Sequence, residues 1–142
     1  MKLGVFSAME VAASGLSAER TRMNVIASNL ANARTTKTEA GGPYKKLDPV
    51  FSAVPIGSEV GGSENGVSLV KVDRIQQDKR DPQLVYEPGH PDADAQGYVR
   101  YPNVNVVEEM VNMITASRAY EAGVSSVESV KAMARTALGI GR

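Results

Sequence analysis

The stretch NVVEEMVNMITASRAYEAGVSSVESVKAMARTAL, residues 105–138, carries the clearest pattern in this sequence. Its seam positions alternate by four and three from Val106 to Leu138, the spacing of the seam between two paired helices. Asn105, followed three positions later by Glu108, fits a capping box at the start of this helix. The pattern therefore predicts one long C-terminal helix, ended by the glycines that follow it.

The N-terminal arm repeats the seven-residue spacing of an apolar seam, at Met9, Leu16, Met23 and Leu30. A companion row is apolar except at Arg20. A helix from about Leu3 to Asn32 would be roughly 45 Å long. The pattern ends in ASNLANARTTKT, residues 27–38, where asparagine side chains can cap carbonyls or form a turn.

Further apolar residues lie beside both seams, so each apolar stripe is wider than one partner helix can cover. An exposed apolar patch beyond the order of a few hundred Å² normally marks an interface. We therefore expect the two helices to pack against each other and then against neighbouring copies. The seam residues expected at these subunit contacts are Met9, Leu16, Met23, Met110, Met113, Tyr120, Val124, Val127 and Leu138.

The middle of the chain has a different composition, because all seven prolines lie between Pro43 and Pro102. Partial alternation and β-branched residues predict short strands in three segments, 44–54, 66–75 and 82–87. The expected fold is mainly α with a small β region, its long terminal helices pairing as a coiled coil. The corresponding division is a helical coiled-coil domain of residues 1–35 and 102–142, and a β- and loop-rich outer domain of residues 36–101.

Bulk composition excludes several classes of function. Sixteen basic residues balance sixteen acidic ones, so there is no electrostatic footprint for nucleic acid or an anionic membrane. No apolar run approaches the roughly 18 residues that span a bilayer. The N-terminus lacks a clean apolar core, so we expect no cleaved signal peptide. Without cysteine, disulfides and thiolate metal sites are not available.

Few residues offer chemistry. His90 is the only histidine and lies among turn-forming residues. Asp92 and Asp94 resemble the start of a calcium-binding loop, but the later ligand positions do not match, and a turn held by aspartates fits better. Glu108 and Glu109 diverge by about 100° on a helix and fit a role at the helix dipole. We expect no catalytic residue, no cofactor and no metal.

The segment ASRAYEAGVSSVESVKAMA, residues 116–134, offers a second class of function. Ala119, Gly123 and Val124 have the spacing of a helix-turn-helix, which would make the chain a DNA-binding dimer. The would-be recognition helix, however, has only Lys131 as a basic residue, and the seam continues in phase through Gly123. One long helix is favoured, and the DNA-binding dimer is the alternative.

Two longer blocks resemble a known family. SAMEVAASGLSAERTRMNVIASNLANARTTKT, residues 7–38, is similar to the N-terminal segment shared by bacterial flagellar rod and hook proteins. YEPGHPDADAQGYVRYPNVNVVEEMVNMITASRAYEAGVSSVESVKAM, residues 86–133, is similar to the C-terminal half of the proximal-rod branch of that family. The order of the blocks agrees, and the larger central insertions of distal-rod and hook relatives are absent.

The resemblance implies a non-enzymatic structural subunit of the flagellar basal body. Such a subunit is exported through the flagellar type III apparatus without a cleaved signal and assembles in the periplasm. The implied partners are copies of itself, other proximal and distal rod proteins, and the membrane-ring or export-gate adaptor at the rod base. Nucleic acid and a membrane span are not implied.

The resemblance also assigns places to the elements of the chain. Its terminal helices would form the inner coiled-coil layer of the rod, and its middle would form the outer domain. Asn29, Leu30 and Asn32, at the corner between these layers, would then lie at packed subunit contacts. The alternative is a capped helix end inside one protomer.

Overall fold

The computed structural model describes residues 5–56 and 67–140. Two long helices at the ends of this range enclose four short strands, so the predicted mainly α fold with a small β region is confirmed. The elements are α1 (Val5–Ala31), β1 (Leu47–Pro55), β2 (Ser68–Gln77), β3 (Gln83–Tyr86), β4 (Tyr98–Tyr101) and α2 (Val106–Ile140). The expected helix start at Leu3 and the glycine at position 141 lie outside the described residues.

Helix α1 ends where the sequence pattern changes from apolar to polar. Asn32 Nδ2 donates a hydrogen bond of 2.9 Å to the carbonyl oxygen of Ser28, which also accepts from the backbone N–H of Asn32 at 3.1 Å. The backbone N–H of Thr35 then donates to the Asn32 carbonyl at 3.0 Å and closes a turn. Asn32 therefore caps α1 and redirects the chain.

Helix α2 begins at the predicted cap. Asn105 Oδ1 accepts hydrogen bonds from the backbone N–H groups of Val107 at 3.0 Å and Glu108 at 3.3 Å. The helix then runs unbroken through Gly123 and continues past Gly139 to Ile140, two residues beyond the expected end at about Leu138. The helix-turn-helix alternative is also wrong, because residues 116–134 form part of one helix without a turn.

The two helices pack antiparallel along their length. Asn29 contacts Glu109, Arg20 contacts Tyr120, and Leu16 lies against Gly123, so one residue number falls as the other rises. A Cβ atom at Gly123 would stand 2.8 Å from Leu16 Cδ2, closer than packed carbon atoms normally approach. Glycine at this position therefore permits the close approach of α2 to α1.

The strands form two antiparallel pairs. Strand β1 pairs with β2 from Leu47 opposite Gln77 to Pro55 opposite Ser68, with a bulge between Val50 and Phe51. This pair packs on α1. The second pair, β3 with β4, contains a strand that the sequence analysis missed. The connection before β4 is held by Asp94 Oδ1, which accepts from the backbone N–H groups of Gln96 and Tyr98, so the interpretation as a turn residue is confirmed for Asp94. The Asp92 carboxylate instead accepts a hydrogen bond of 2.7 Å from the Thr36 hydroxyl.

The protein has a small core for its length. Among the described residues, the buried hydrophobic residues are few: Ala18, Val25, Ile26, Val99, Val104 and Ala116. Many larger apolar side chains, including several on α2, are exposed. Burial of apolar surface is the main driving force for folding and association. The single chain therefore leaves a substantial part of that driving force unused.

Candidate assembly interface

A buried polar cluster fixes the end of α1 to both β1 and α2. Asn29 is 1 % exposed, and all of its polar capacity is used within the chain. Its Oδ1 accepts from the backbone N–H of Leu47 at 2.9 Å and from the Tyr44 hydroxyl at 3.0 Å. Its Nδ2 donates to the carbonyl oxygen of Leu47 at 2.9 Å and to Glu109 Oε2 at 3.0 Å. The Asn29 amide thus pairs with Leu47 as a neighbouring strand would, and also holds α2.

Glu109 completes this cluster from α2. Its carboxylate is 2 % exposed, and its Oε1 lies 3.0 Å from Lys46 Nζ. Burial lowers the pKa of the Lys46 ammonium, but its hydrogen bond to Glu109 and the charges of Asp48 and Glu109 outweigh that effect. The pKa of Lys46 is therefore raised above its ordinary value of 10.5. Buried charges of this kind are tolerated only when they are paired and hydrogen-bonded.

The cluster fixes how α1, β1 and α2 meet at one corner of the protein. Asn29, Lys46 and Glu109 join elements that are far apart in sequence, and each side chain satisfies the polar atoms of another. We call this set, together with Tyr44, the corner cluster. Because its atoms allow few alternative pairings, it fixes the angle and register at which α1, β1 and α2 meet.

The sequence-predicted contact residues fall into three environments. The contact residues predicted in and just after α1, apart from Asn29, are partly buried, namely Met9, Leu16, Met23, Leu30 and Asn32. Those of α2 divide into the partly buried Met113, Tyr120 and Val127 and the exposed Met110, Val124 and Leu138. Asn29 is enclosed in its own chain and has no surface to offer a neighbouring subunit. Its position matches the alternative of a helix end held inside one protomer.

An apolar ridge projects from α2 on the side away from α1. Val107, Val111 and Ile114 are 70 %, 57 % and 56 % exposed. Their spacing of four and three places them on one face of the helix. Val107 lies about 200° around the helix axis from Glu109, which faces α1. We call these three residues the α2 ridge. These three residues are among the apolar residues beside the predicted seam, but they are not among the predicted contact residues.

A groove lies between α1, α2 and the β1–β2 pair. Its cavity volume is about 550 Å³. The side chains along it are mostly small or apolar, among them Ala8, Ala12, Gly15, Val70, Ala119 and Gly123. Glu19 lies at its edge, and Glu19 Oε2 is buried without a hydrogen-bond partner, its nearest cation being Arg22 Nη1 at 3.8 Å. The protein thus presents both a convex and a concave apolar surface.

Two family models match the two helical ends of the chain. The model of the flagella basal body rod proteins matches residues 9–36. The model of the C-terminal region of flagellar basal body rod FlgEFG proteins matches residues 95–140. Both matches are to flagellar basal-body rod proteins, and they fall on the two long helices of the chain.

Comparison with individual relatives is more specific. The chain is 44 % identical to the flagellar basal-body rod protein FlgC of Borreliella burgdorferi, over 97 % of this chain and 98 % of the relative. It is 40 % identical to FlgC of Bacillus subtilis, over 96 % and 98 %, and 42 % identical to FlgC of Salmonella typhimurium, over 99 % and 100 %. The chain belongs to the FlgC family. It is a structural subunit of the flagellar basal-body rod and not an enzyme.

Within residues 5–56 and 67–140, no helix is long and apolar enough to cross a membrane. The same residues contain no group of histidine, aspartate and glutamate side chains arranged to hold a metal ion. The candidate functional feature of this part of the chain is its uncovered apolar surface, on α2 and along the groove.

Proposed function

We propose that this protein is a subunit of the proximal rod, which polymerises through its terminal helices into the shaft that transmits torque. The observation that carries the proposal is the exposed α2 ridge. Three branched apolar side chains in a row on a long helix would gain free energy when covered, at about 25 cal/mol for each Å² of apolar surface removed from water. Rod neighbours supply such cover in every copy.

In the assembled state, α1 and α2 of neighbouring copies would extend the antiparallel packing of one chain into a continuous coiled-coil layer. The side chains proposed at these contacts are Met9, Leu16, Met23, Leu30, Asn32, Met110, Met113, Tyr120, Val124, Val127 and Leu138. The partly buried members would pack deeper than they do in one chain, and the exposed members would form new contacts. Residues 36–101 would then form the outer domain.

Torque transmission requires that the two layers do not rotate against each other. The corner cluster supports this role, since Asn29 of α1 is hydrogen-bonded to Leu47 of β1. Glu109 of α2 likewise pairs with Lys46, the residue before β1. Close-packed side chains have low compressibility and transmit strain. Many repeated contacts along a polymer sum to a stiff structure, although each contact is weak.

The same proposal includes a route and partners. The chain would leave the cytoplasm through the flagellar type III export apparatus without a cleaved signal peptide and would assemble in the periplasm. It would contact its own copies, other proximal and distal rod proteins, and the adaptor between the rod base and the membrane ring or export gate. Relatives named as flagellar basal-body rod proteins support a place in this structure.

Imaging of basal bodies tests the proposal directly. A flagellated strain that lacks this protein should retain its membrane-ring base but have no rod above it. Expression of the wild-type chain in the same strain should restore the rod and swimming, and antibody labelling should place the chain below the distal rod. Intact rods in the deletion strain, or labelling only beyond the hook, would contradict the proposal.

A further inference from the structure

The residues of the groove floor and of the α2 ridge have the same spacing along their helix axes. The floor of the groove on α1 contains Ala8, Ala12 and Gly15, small residues spaced by four and then three positions. The α2 ridge contains large residues at the same spacing, at positions 107, 111 and 114. On two parallel helices, equal spacing brings each ridge residue to the level of one floor residue, about 1.5 Å of rise per position. Large side chains therefore meet small ones along the full length of both patterns.

The same register continues into a pair of charges. Four positions beyond Ile114 lies the exposed Arg118, and four positions beyond Gly15 lies Glu19. Glu19 Oε2 has no hydrogen-bond partner, with Arg22 Nη1 at 3.8 Å. Among residues 5–56 and 67–140, no ion pair includes Arg118. The Glu19 side chain is 24 % exposed and lines the groove, so an arginine in the groove can approach its carboxylate. Such an arginine offers donors to a carboxylate whose Oε2 has only the 3.8 Å ion pair with Arg22.

A single chain cannot bring its own ridge into its own groove. The ridge lies on the side of α2 away from α1, as its exposure shows. In addition, the antiparallel packing of Leu16 on Gly123 places Ala12 level with about residue 127 of α2. About 16 residues, or roughly 24 Å, of α2 separate that level from Val111. The occupant must therefore come from another molecule.

We propose that α2 of a second copy of this chain occupies the groove, parallel to α1. In this register the ridge of the second copy covers the small residues of the groove floor, and its Arg118 pairs with Glu19. The two surfaces differ, so each contact leaves one free groove and one free ridge at its ends. Such a head-to-tail contact repeats from copy to copy and builds a helical array. The inference rests on the proposed rod function and specifies the contact through which the copies join.

Disulfide cross-linking in assembled rods tests the contact. The chain has no cysteine, so two new thiols are the only candidates. In the A12C/V111C double variant the thiols meet only across the proposed contact, because disulfides need Cα atoms within about 7 Å. Basal bodies that contain this variant should give dimers and higher oligomers on non-reducing gels, and a single band after reduction. The matched control N24C/V111C, with an exposed residue on another face of α1, should give monomer.

The outcomes separate the two proposals. Basal bodies that contain A12C/V111C but yield only monomer overturn the proposed contact and leave the rod function standing. Oligomers from the N24C/V111C control at equal yield also overturn it. Absence of the wild-type chain from purified basal bodies overturns the rod function itself.

Charge reversal gives an independent test. Glu19→Arg and Arg118→Glu should each abolish expansion of a swimming halo, since each places like charges together at the contact. The E19R/R118E double variant should restore swimming because it recreates the pair in reverse. Arg100→Glu, a reversal at an exposed position of β4, should leave swimming unchanged. A double variant that swims no better than either single variant overturns the proposed pairing.

Discussion

Glu109 of α2 accepts a hydrogen bond from Asn29 of α1 at 3.0 Å, across 80 positions of sequence. The same carboxylate faces Lys46 Nζ at 3.0 Å, so one side chain connects both helices and the segment that leads into β1. The angle between the two helices and β1 is thus fixed by side chains that are hydrogen-bonded or ion-paired to one another. The behaviour of this corner can be measured directly.

Removal of the Glu109 carboxylate should destabilise the protein. In Glu109→Ala, Lys46 keeps a charge with little access to water and Asn29 loses an acceptor, so we expect the free energy of unfolding to fall by about 3 kcal/mol. The exposed neighbour provides the control, and Glu108→Ala should change that free energy by only about 0.5 kcal/mol. Urea denaturation followed by circular dichroism measures both. Equal losses in the two variants would show that the cluster does not stabilise the corner.

The raised pKa of Lys46 predicts a loss of stability in alkali. A group whose pKa is higher in the folded than in the unfolded chain stabilises the fold fully below its unfolded value, here 10.5. That contribution is lost as the pH rises through the folded pKa. The difference in unfolding free energy between wild type and Lys46→Met should therefore shrink above pH 10.5. The exposed Lys45→Met serves as the control for loss of a lysine outside the corner cluster, and a pH dependence no larger in Lys46→Met than in Lys45→Met would contradict the prediction.

Substitution of Gly123 by alanine should not give the gain in stability that this change usually gives in a helix. Glycine to alanine in a helix interior normally stabilises by about 1 kcal/mol. At Gly15 a Cβ meets nothing within 4 Å, so Gly15→Ala should show that gain. At Gly123 the new Cβ lies 2.8 Å from Leu16 Cδ2, so Gly123→Ala should lack the gain or destabilise. Thermal unfolding of both variants tests this prediction. Equal gains in stability would contradict it, because they would mean that α2 can move away from α1 at no cost in free energy.

The helices of an isolated copy should be ordered unevenly. Amide hydrogen exchange should be slow around Asn29 and Glu109, where the corner cluster holds both helices, and fast beyond about Met133 in α2, where most side chains are exposed. Helices without packing partners are marginal in water. Circular dichroism of dilute monomer should therefore give less helix than the full lengths of α1 and α2, and the helicity should rise on assembly with other rod subunits. Full helicity and uniform protection in the monomer would contradict this expectation.

The sequence pattern located both helices and one row of α2 that contacts α1, the row of Tyr120, but misplaced the second row. The predicted seam passed through Met110 and Val124, yet both are exposed, and the row one position away, with Glu109 and Gly123, contacts α1. Periodicity assigns the most apolar row to the interior. Here the apolar stripe is wide because it serves more than one contact, and a charged residue occupies the inner row because Lys46 neutralises it.

Two other features could not be derived from local sequence. Strand β4 is too short for a clear alternation, and its pairing depends on β3 and on the turn held by Asp94. Glu109 fits a helix-dipole residue until its distant partners are known. One signal was available: Glu109 lies seven positions before Ala116 and fourteen before Gly123, in the row of small residues that permits close packing.

The antiparallel pairing of the helices determines when the protein can fold. Arg20 reaches its hydrogen-bond partner Tyr120 only after 100 further residues have followed it. An incompletely synthesised chain therefore lacks α2, the partner against which α1 packs along its length, and only the β1–β2 pair is available to α1. Long-range contacts of this kind form slowly, so the topology delays completion of the fold until the second helix arrives.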